Sequence, residues 1–241
     1  MSGQDDLLAR LRQTLEEQGI DSFHILEDLV PIEEQMEYFR YFDRIRRENR
    51  AFVRDEEVAL LFSPEEPVER KKRSLILLAS IPDVGAYRSI ETYHSSPLEP
   101  ELSHWASMAL VSSRIVLSSD LSGQQQIYIS SGLGGQDKKL RFFSLFTTID
   151  RQPLTDLQKE IVTREFTFQL EKADVIIEKF EIKANYFTIQ ILFAFDSDAR
   201  SCLDAAVNEC NQYGNFLDKK FLFTNVKVLS EAEINNLLEK K

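Results

Sequence analysis

Histidine and cysteine, the residues that most often hold metals or act as nucleophiles, are scarce: three histidines and two cysteines in 241 residues. His24, His94 and His104 form no HxH or HExxH pair, so the spacing of a zinc site is missing. Cys202 and Cys210 stand eight residues apart. On one helix that is about 12 Å at 1.5 Å rise per residue, too far for a disulfide. They read as buried small hydrophobes, which fits a reducing compartment. No GxSxG nucleophile elbow is present, so a serine–histidine pair would need remote residues. No apolar run reaches the roughly 18 residues of a membrane span. The first residues, MSGQDDLLARLRQ, lack the basic start and apolar stretch of a signal peptide. The expected location is the cytoplasm, with no membrane partner, no metal and no cofactor.

Basic charge is short as well. The chain carries 29 lysines and arginines against 40 acids, a net charge of −11. Residues 1–66 hold 8 basic against 17 acidic side chains, residues 67–136 hold 6 of each, and residues 137–241 hold 15 against 17. An acidic first third repels phosphate backbones and keeps a protein soluble. Nucleic acid is therefore an unlikely partner on charge alone. The bland reading of that charge is a solvated face.

What is there is ordinary globular composition, 43% hydrophobic, enough for one large or two small cores. Leu7, Leu8, Leu11 and Leu15 form one stripe of a helix over 4–18, with Gly19 as its stop. Pro31 opens a second helix, marked by Ile32, Met36, Phe39, Phe42 and Ile45. Arg40, Arg44 and Arg47 share its surface with Glu33, Glu37 and Glu48; they have the chemistry to grip an anion, but interleaved glutamates favour intrahelical pairing. Residues 54–63 fit either a strand or a short helix. Ser63-Pro64-Glu65-Glu66 then reads as a capping box opening a helix over Pro64–Ser80, with a buried strand over Leu75–Ile81 as the alternative. Asp83 caps a helix over Val84–Tyr93, and residues 99–118 form another, with Trp105 on its apolar face.

The period changes from helical to alternating in the stretch Gln125–Thr148, which carries the first sheet strands. Ile127 and Ile129 alternate with Tyr128 and Ser130. Leu140–Thr148 is a strand with Phe142 and Phe146 on one face and Phe143 and Leu145 on the other. Thr155 and Gln158 form a capping box for a helix to Lys172. Val175–Lys183 and Tyr186–Phe195 form a hairpin, a helix with Cys202 and Cys210 on its core side follows Asp198, Phe221–Val228 is the last strand, and Ser230 with Glu233 caps a final helix.

The tightly turned helices of about residues 54–120 resemble HEAT or armadillo pairs, with an irregular bundle as the alternative. From residue 138 the order is strand, helix, strand, strand, helix, strand, then one helix. This is the order of the ferredoxin-like βαββαβ fold. It also resembles the IS200/IS605-type transposase fold. That resemblance implies a histidine pair on the third strand and a tyrosine nucleophile on a later helix. Here the strand reads Tyr186-Phe187-Thr188-Ile189-Gln190 and the last helix EAEINNLLEKK, so neither is present. Tyr186 and Phe143 are the aromatic residues with which a sheet face would stack bases.

The closest approach to a motif is Ser130-Ser131-Gly132-Leu133-Gly134-Gly135, followed by Lys138, Lys139 and Arg141. Glycine-rich turns can wrap phosphate, but a dinucleotide fingerprint or a P-loop runs straight into a helix. Between two strands, a hairpin turn with positive φ is the simpler reading. Ser130, Ser131, Gly132, Gly134, Gly135, Lys138 and Arg141 are nonetheless the candidate ligand-binding residues; none is a candidate catalyst. The sequence thus points to an α+β protein: a helical region over 1–120 and a ferredoxin-like domain over 121–241. By elimination the expected function is a non-enzymatic adaptor or regulatory protein that binds a protein partner or itself. A nucleotide or small-molecule sensor using loop 130–141, and a nucleic-acid binder derived from an inactive nuclease-like fold, are the alternatives.

Overall fold

A computed structural model describes residues 23–48, 50–124, 126–194 and 198–239. The helix expected over 4–18 lies outside these residues. The described chain divides into two compact units, separating in sequence between Gly134 and Gly135.

The first unit is mainly helical. Strand β1 (Phe23–Ile25) pairs in parallel with β2 (Ile127–Ile129), Phe23 opposite Ile127. The alternation read at Ile127 and Ile129 is therefore a real strand, but its partner comes from the other end of the unit. Between them run α1 (Ile32–Glu48), α2 (Arg54–Phe62), α3 (Val68–Ala79), α4 (Val84–Ser95), a 3₁₀ turn (Pro100–Leu102) and α5 (Ser103–Ser122). Helix α1 starts where expected: the Pro31 carbonyl accepts from the amides of Glu34 and Gln35, each at 3.0 Å. Asp83 caps α4 by accepting from the amide of Ala86 at 2.7 Å.

The choice left open over 54–63 resolves as a helix, Arg54–Phe62. One expectation is corrected. The helix expected from Pro64 begins at Val68, after Pro67 at the N-cap position. A residue before proline avoids the α region, so Glu66 cannot carry a helix into Pro67. Ser63 instead ends α2. Leu75 to Ala79 are all buried within this helix, so the continuous apolar run marks a buried helix segment rather than a strand.

The core gathers around Tyr38, Trp105 and Tyr93. The Trp105 ring meets Tyr38 at 5.3 Å and Tyr41 at 5.4 Å, both edge-on. Lys71 is completely buried and pairs with Glu99, which also accepts from the Tyr93 hydroxyl at 2.5 Å. Such a charge is tolerable in a core only because it is paired and hydrogen-bonded.

The second unit is ferredoxin-like. It contains β3 (Gly135–Gln136), β4 (Lys139–Thr147), α6 (Asp156–Lys172), β5 (Ile176–Ile182), β6 (Tyr186–Ala194), α7 (Ala199–Asn211), β7 (Leu222–Thr224) and α8 (Glu231–Glu239). The sheet runs β7–β4–β6–β5, every neighbour antiparallel, and β3 also pairs with β4. The β3–β4 hairpin turns on Asp137 and Lys138, at φ 48° and 64°. Positive φ at both central residues suits a two-residue hairpin, so the turn lies just beyond the glycines rather than on them.

Phe142, Phe146, Phe187, Ile189, Ile191 and Phe193 share the inner face and are buried. Phe146 meets Phe187 at 4.8 Å and Phe166 of α6 at 4.8 Å. Burying each such ring contributes roughly 1.5–3 kcal/mol. The Thr155–Gln158 capping box of α6 is complete, with both reciprocal bonds.

Candidate functional site

The outer face of the sheet is where the transposase resemblance would place metal-binding histidines. On β6 that face carries Tyr186, Thr188 and Gln190. Helix α8 and the segment before it lie over this face, leaving a cavity of about 260 Å³ bounded by Phe143, Tyr186, Gln190, Leu229 and Ile234. Its charges are neutralised in pairs: Lys179 with Glu181 and Lys183 with Glu231, each at 3.1 Å. No cluster of three or more histidines, cysteines or carboxylates arranged to hold a metal ion occurs among the described residues. Tyr186 and Phe143 are buried, so they form no exposed platform for stacking bases.

The glycine loop is also packed away. Ser130 is exposed, but Ser131, Gly132, Gly134 and Gly135 are buried. The Gln35 side-chain amide donates to the carbonyls of Val30 at 2.7 Å and Ser131 at 3.0 Å. The Ser131 hydroxyl donates to the Gly134 carbonyl at 3.2 Å. Gly134 has φ +65°, and a Cβ there would sit 2.4 Å from the Glu27 carbonyl oxygen. The loop thus fixes the chain against residues 27–28. Lys138 and Arg141 follow in the second unit, where Arg141 donates to Glu178 at 2.7 Å. Of the residues singled out by sequence, Ser130, Ser131, Gly132 and Gly134 thus belong to the first unit, and Gly135, Lys138 and Arg141 to the second.

The surface that the sequence reading set aside as intrahelical pairing is the end of α1. Six of the eight basic residues in the first 66 lie within residues 40–54: Arg40, Arg44, Arg46, Arg47, Arg50 and Arg54. Only Asp43 and Glu48 oppose them there, so a window of net charge +4 sits in an acidic third. Two of the glutamates expected to pair with these arginines, Glu37 and Glu48, go elsewhere, as does Glu34. Glu48 binds Arg73 of α3 at 2.9 Å, Glu37 binds Lys72 at 3.4 Å, and Glu34 meets His104 of α5 at 2.8 Å. The Arg73 hydrogen bond is what holds the Glu48 carboxyl below its ordinary range, with the charges of Arg50 and Arg44 adding to it. Arg44 lies over the Tyr41 ring at 4.2 Å. Arg46, Arg47 and Arg50 are exposed and form no ion pair with any described residue.

Beside these arginines runs a groove within the helical unit. One part, about 420 Å³, is bounded by Phe42, Ile45, Arg46, Ile76, Leu77 and Val116; a second, about 400 Å³, by Ala51, Arg54 and Ile81. Both include Arg50 and Phe52. Its floor is apolar and its rim guanidinium. The signal was in the sequence as a local charge reversal, visible once arginines are counted over a window rather than along one helix face.

No protein-family model and no curated protein matches the chain. Among solved structures, one similar chain is a putative transposase from Deinococcus radiodurans R1, at 14% identity and TM-score 0.36, covering 42% of this chain and 90% of that one. Another is a REP-associated tyrosine transposase bound to a REP hairpin, at 10% identity and TM-score 0.34, covering 43% of this chain and 69% of that one. Two expectations are corrected at this point. The adaptor reading, with a protein partner or self-association, does not stand, because the solved structures matched are transposases. Nor does the exclusion of nucleic acid, since one of them is held on a REP hairpin. Within this chain, net charge hid a local basic surface over residues 40–54, so the charge argument against nucleic acid does not hold there.

Proposed function

We propose that this protein binds nucleic acid through the arginine-lined surface of its helical unit, without the metal-dependent strand cleavage that the transposase resemblance implies. The observation that carries the reading is the set Arg46, Arg47 and Arg50, exposed and in no ion pair with a described residue, in the last turn of α1 and just beyond it. Arginines of this kind neutralise phosphates and release their counterions on binding. The absence of cleavage is argued from residue identity: Tyr186, Thr188 and Gln190 stand on the strand where the resemblance calls for histidines, and α8 lies over them. The chain has no described helix long and apolar enough to cross a membrane. Its two free cysteines support a cytoplasmic setting.

With the rest of the molecule acidic, binding is local and strongly weakened by salt. Fluorescence anisotropy of the full chain with labelled oligonucleotides tests this. Binding at low salt that fades as salt rises, and that is lost in an Arg46→Ala/Arg47→Ala/Arg50→Ala variant, is expected. No binding at low ionic strength to any oligonucleotide, single- or double-stranded, would refute the reading. A nuclease assay with added divalent metal ions is expected to show no cleavage.

A further inference from the structure

The arginines account for attraction to phosphate, but not for the open apolar floor beside them. We propose that the groove between α1, α3 and α5 holds one unpaired nucleotide of a single strand, with its base against Phe52 and its phosphate between Arg46 and Arg50. This rests on the nucleic-acid reading above and narrows it.

Three observations carry it. First, Arg50 and Phe52 bound both parts of the groove, so one side chain of each kind faces both. Second, each part, at about 420 and 400 Å³, falls within the roughly 300–1,000 Å³ typical of sites for small organic ligands. Third, the floor of Phe42, Ile45, Ile76 and Leu77 has no charged member. A duplex keeps its bases stacked inside and offers such a floor only its backbone. A single strand offers the face of a base, which gains from aromatic contact whatever its identity.

A purely structural account is that arginines in the last turn of α1 offset the helix dipole. That suits Arg46 and Arg47. It does not suit Arg50, which lies beyond the end of α1 at Glu48, nor the unfilled space between Phe42 and Phe52. The Ser80 hydroxyl, at the groove's edge, is spent on the Leu77 carbonyl at 2.7 Å. Recognition there is therefore expected to be tolerant of base identity.

The test is anisotropy of the full chain at one low salt concentration against four probes: a short labelled thymidine strand, a duplex of the same length, a strand of abasic sites, and unlabelled thymidine monophosphate as competitor. The proposal predicts about tenfold tighter binding to the thymidine strand than to the duplex, and a comparable loss with the abasic strand. Phe52→Ala is expected to weaken single-strand binding about tenfold and leave duplex binding little changed; Phe52→Trp is expected to retain single-strand binding. Phe52→Leu, checked for an unchanged melting curve, separates loss of the ring from loss of packing and is expected to behave as Phe52→Ala does. Equal affinity for strand, duplex and abasic probe, or a Phe52→Leu variant of undiminished affinity, overturns the proposal while the arginine-based reading survives. Competition by the monophosphate as strong as by the strand itself overturns it in favour of a free-nucleotide site. Failure of all probes to bind removes both.

Discussion

Gly134 decides where the glycine-rich loop sits. Its φ of +65° is one that side-chain-bearing residues rarely adopt, and an added Cβ would lie 2.4 Å from the Glu27 carbonyl oxygen and 2.5 Å from that of Asp28. Both are backbone atoms, so neither can swing aside. Gly134→Ala is therefore expected to destabilise the protein by on the order of 2 kcal/mol or more, read as a lowered midpoint in urea. The glycine itself was legible in sequence as a turn residue; its neighbours were not, because residues 27–28 are far away along the chain. The same holds for His94, whose Nε2 lies 2.8 Å from Asp28. The Asp28 hydrogen bond raises the imidazole's affinity for its proton, and the bond to His94 lowers the Asp28 carboxyl. His94 therefore contributes stability that is fully present below the ordinary histidine value of about 6.5 and fades as pH rises through its raised folded value. The Asp28 contribution is present above about 3.9 and is lost as pH falls below it. His94→Gln is expected to destabilise more at pH 5.5 than at pH 8.5 in urea titrations; an equal effect at both would contradict the pairing.

At the scale of elements, local chemistry was readable where it was self-contained. Thr155 and Gln158 are three residues apart and close their box within one turn. Ser63 with Glu66 shows the same pattern, but Pro67 displaces the helix start. Thr155→Ala is thus expected to cost about 1 kcal/mol, and Ser63→Ala at most about half that, both by chemical denaturation. The alternation of β4 and β6 made the sheet legible, since its period assigns Phe142, Phe146 and Phe187 to one face. The covering of the other face was not legible. Helix α8 presents few apolar residues, and only the fold brings Ile234, 4% exposed, over the sheet. Ile234→Ala is expected to destabilise by about 2 kcal/mol and to speed amide exchange in α8. An unchanged exchange rate would mean that α8 is held by its first turn, through the Lys183–Glu231 and Lys227–Glu233 pairs.

At the scale of the molecule, charge misled because it was summed too widely. A net of −11 argues against polyanions only if the charge is evenly spread, and it is not. Glu37, Glu48 and Glu34 of α1 are taken up by Lys72, Arg73 and His104 from neighbouring helices. That leaves the arginines at its end unpaired, which spacing along α1 alone predicts wrongly. The salt dependence of single-strand binding by the wild type and by Arg46→Ala/Arg50→Ala is the most direct test of this account. It predicts a linear fall of log affinity with log salt, with a slope shallower by roughly 0.7 in the variant, as expected for loss of the one phosphate held between the two arginines. A variant with the wild-type slope would contradict it, because the phosphates would then be held elsewhere on the protein.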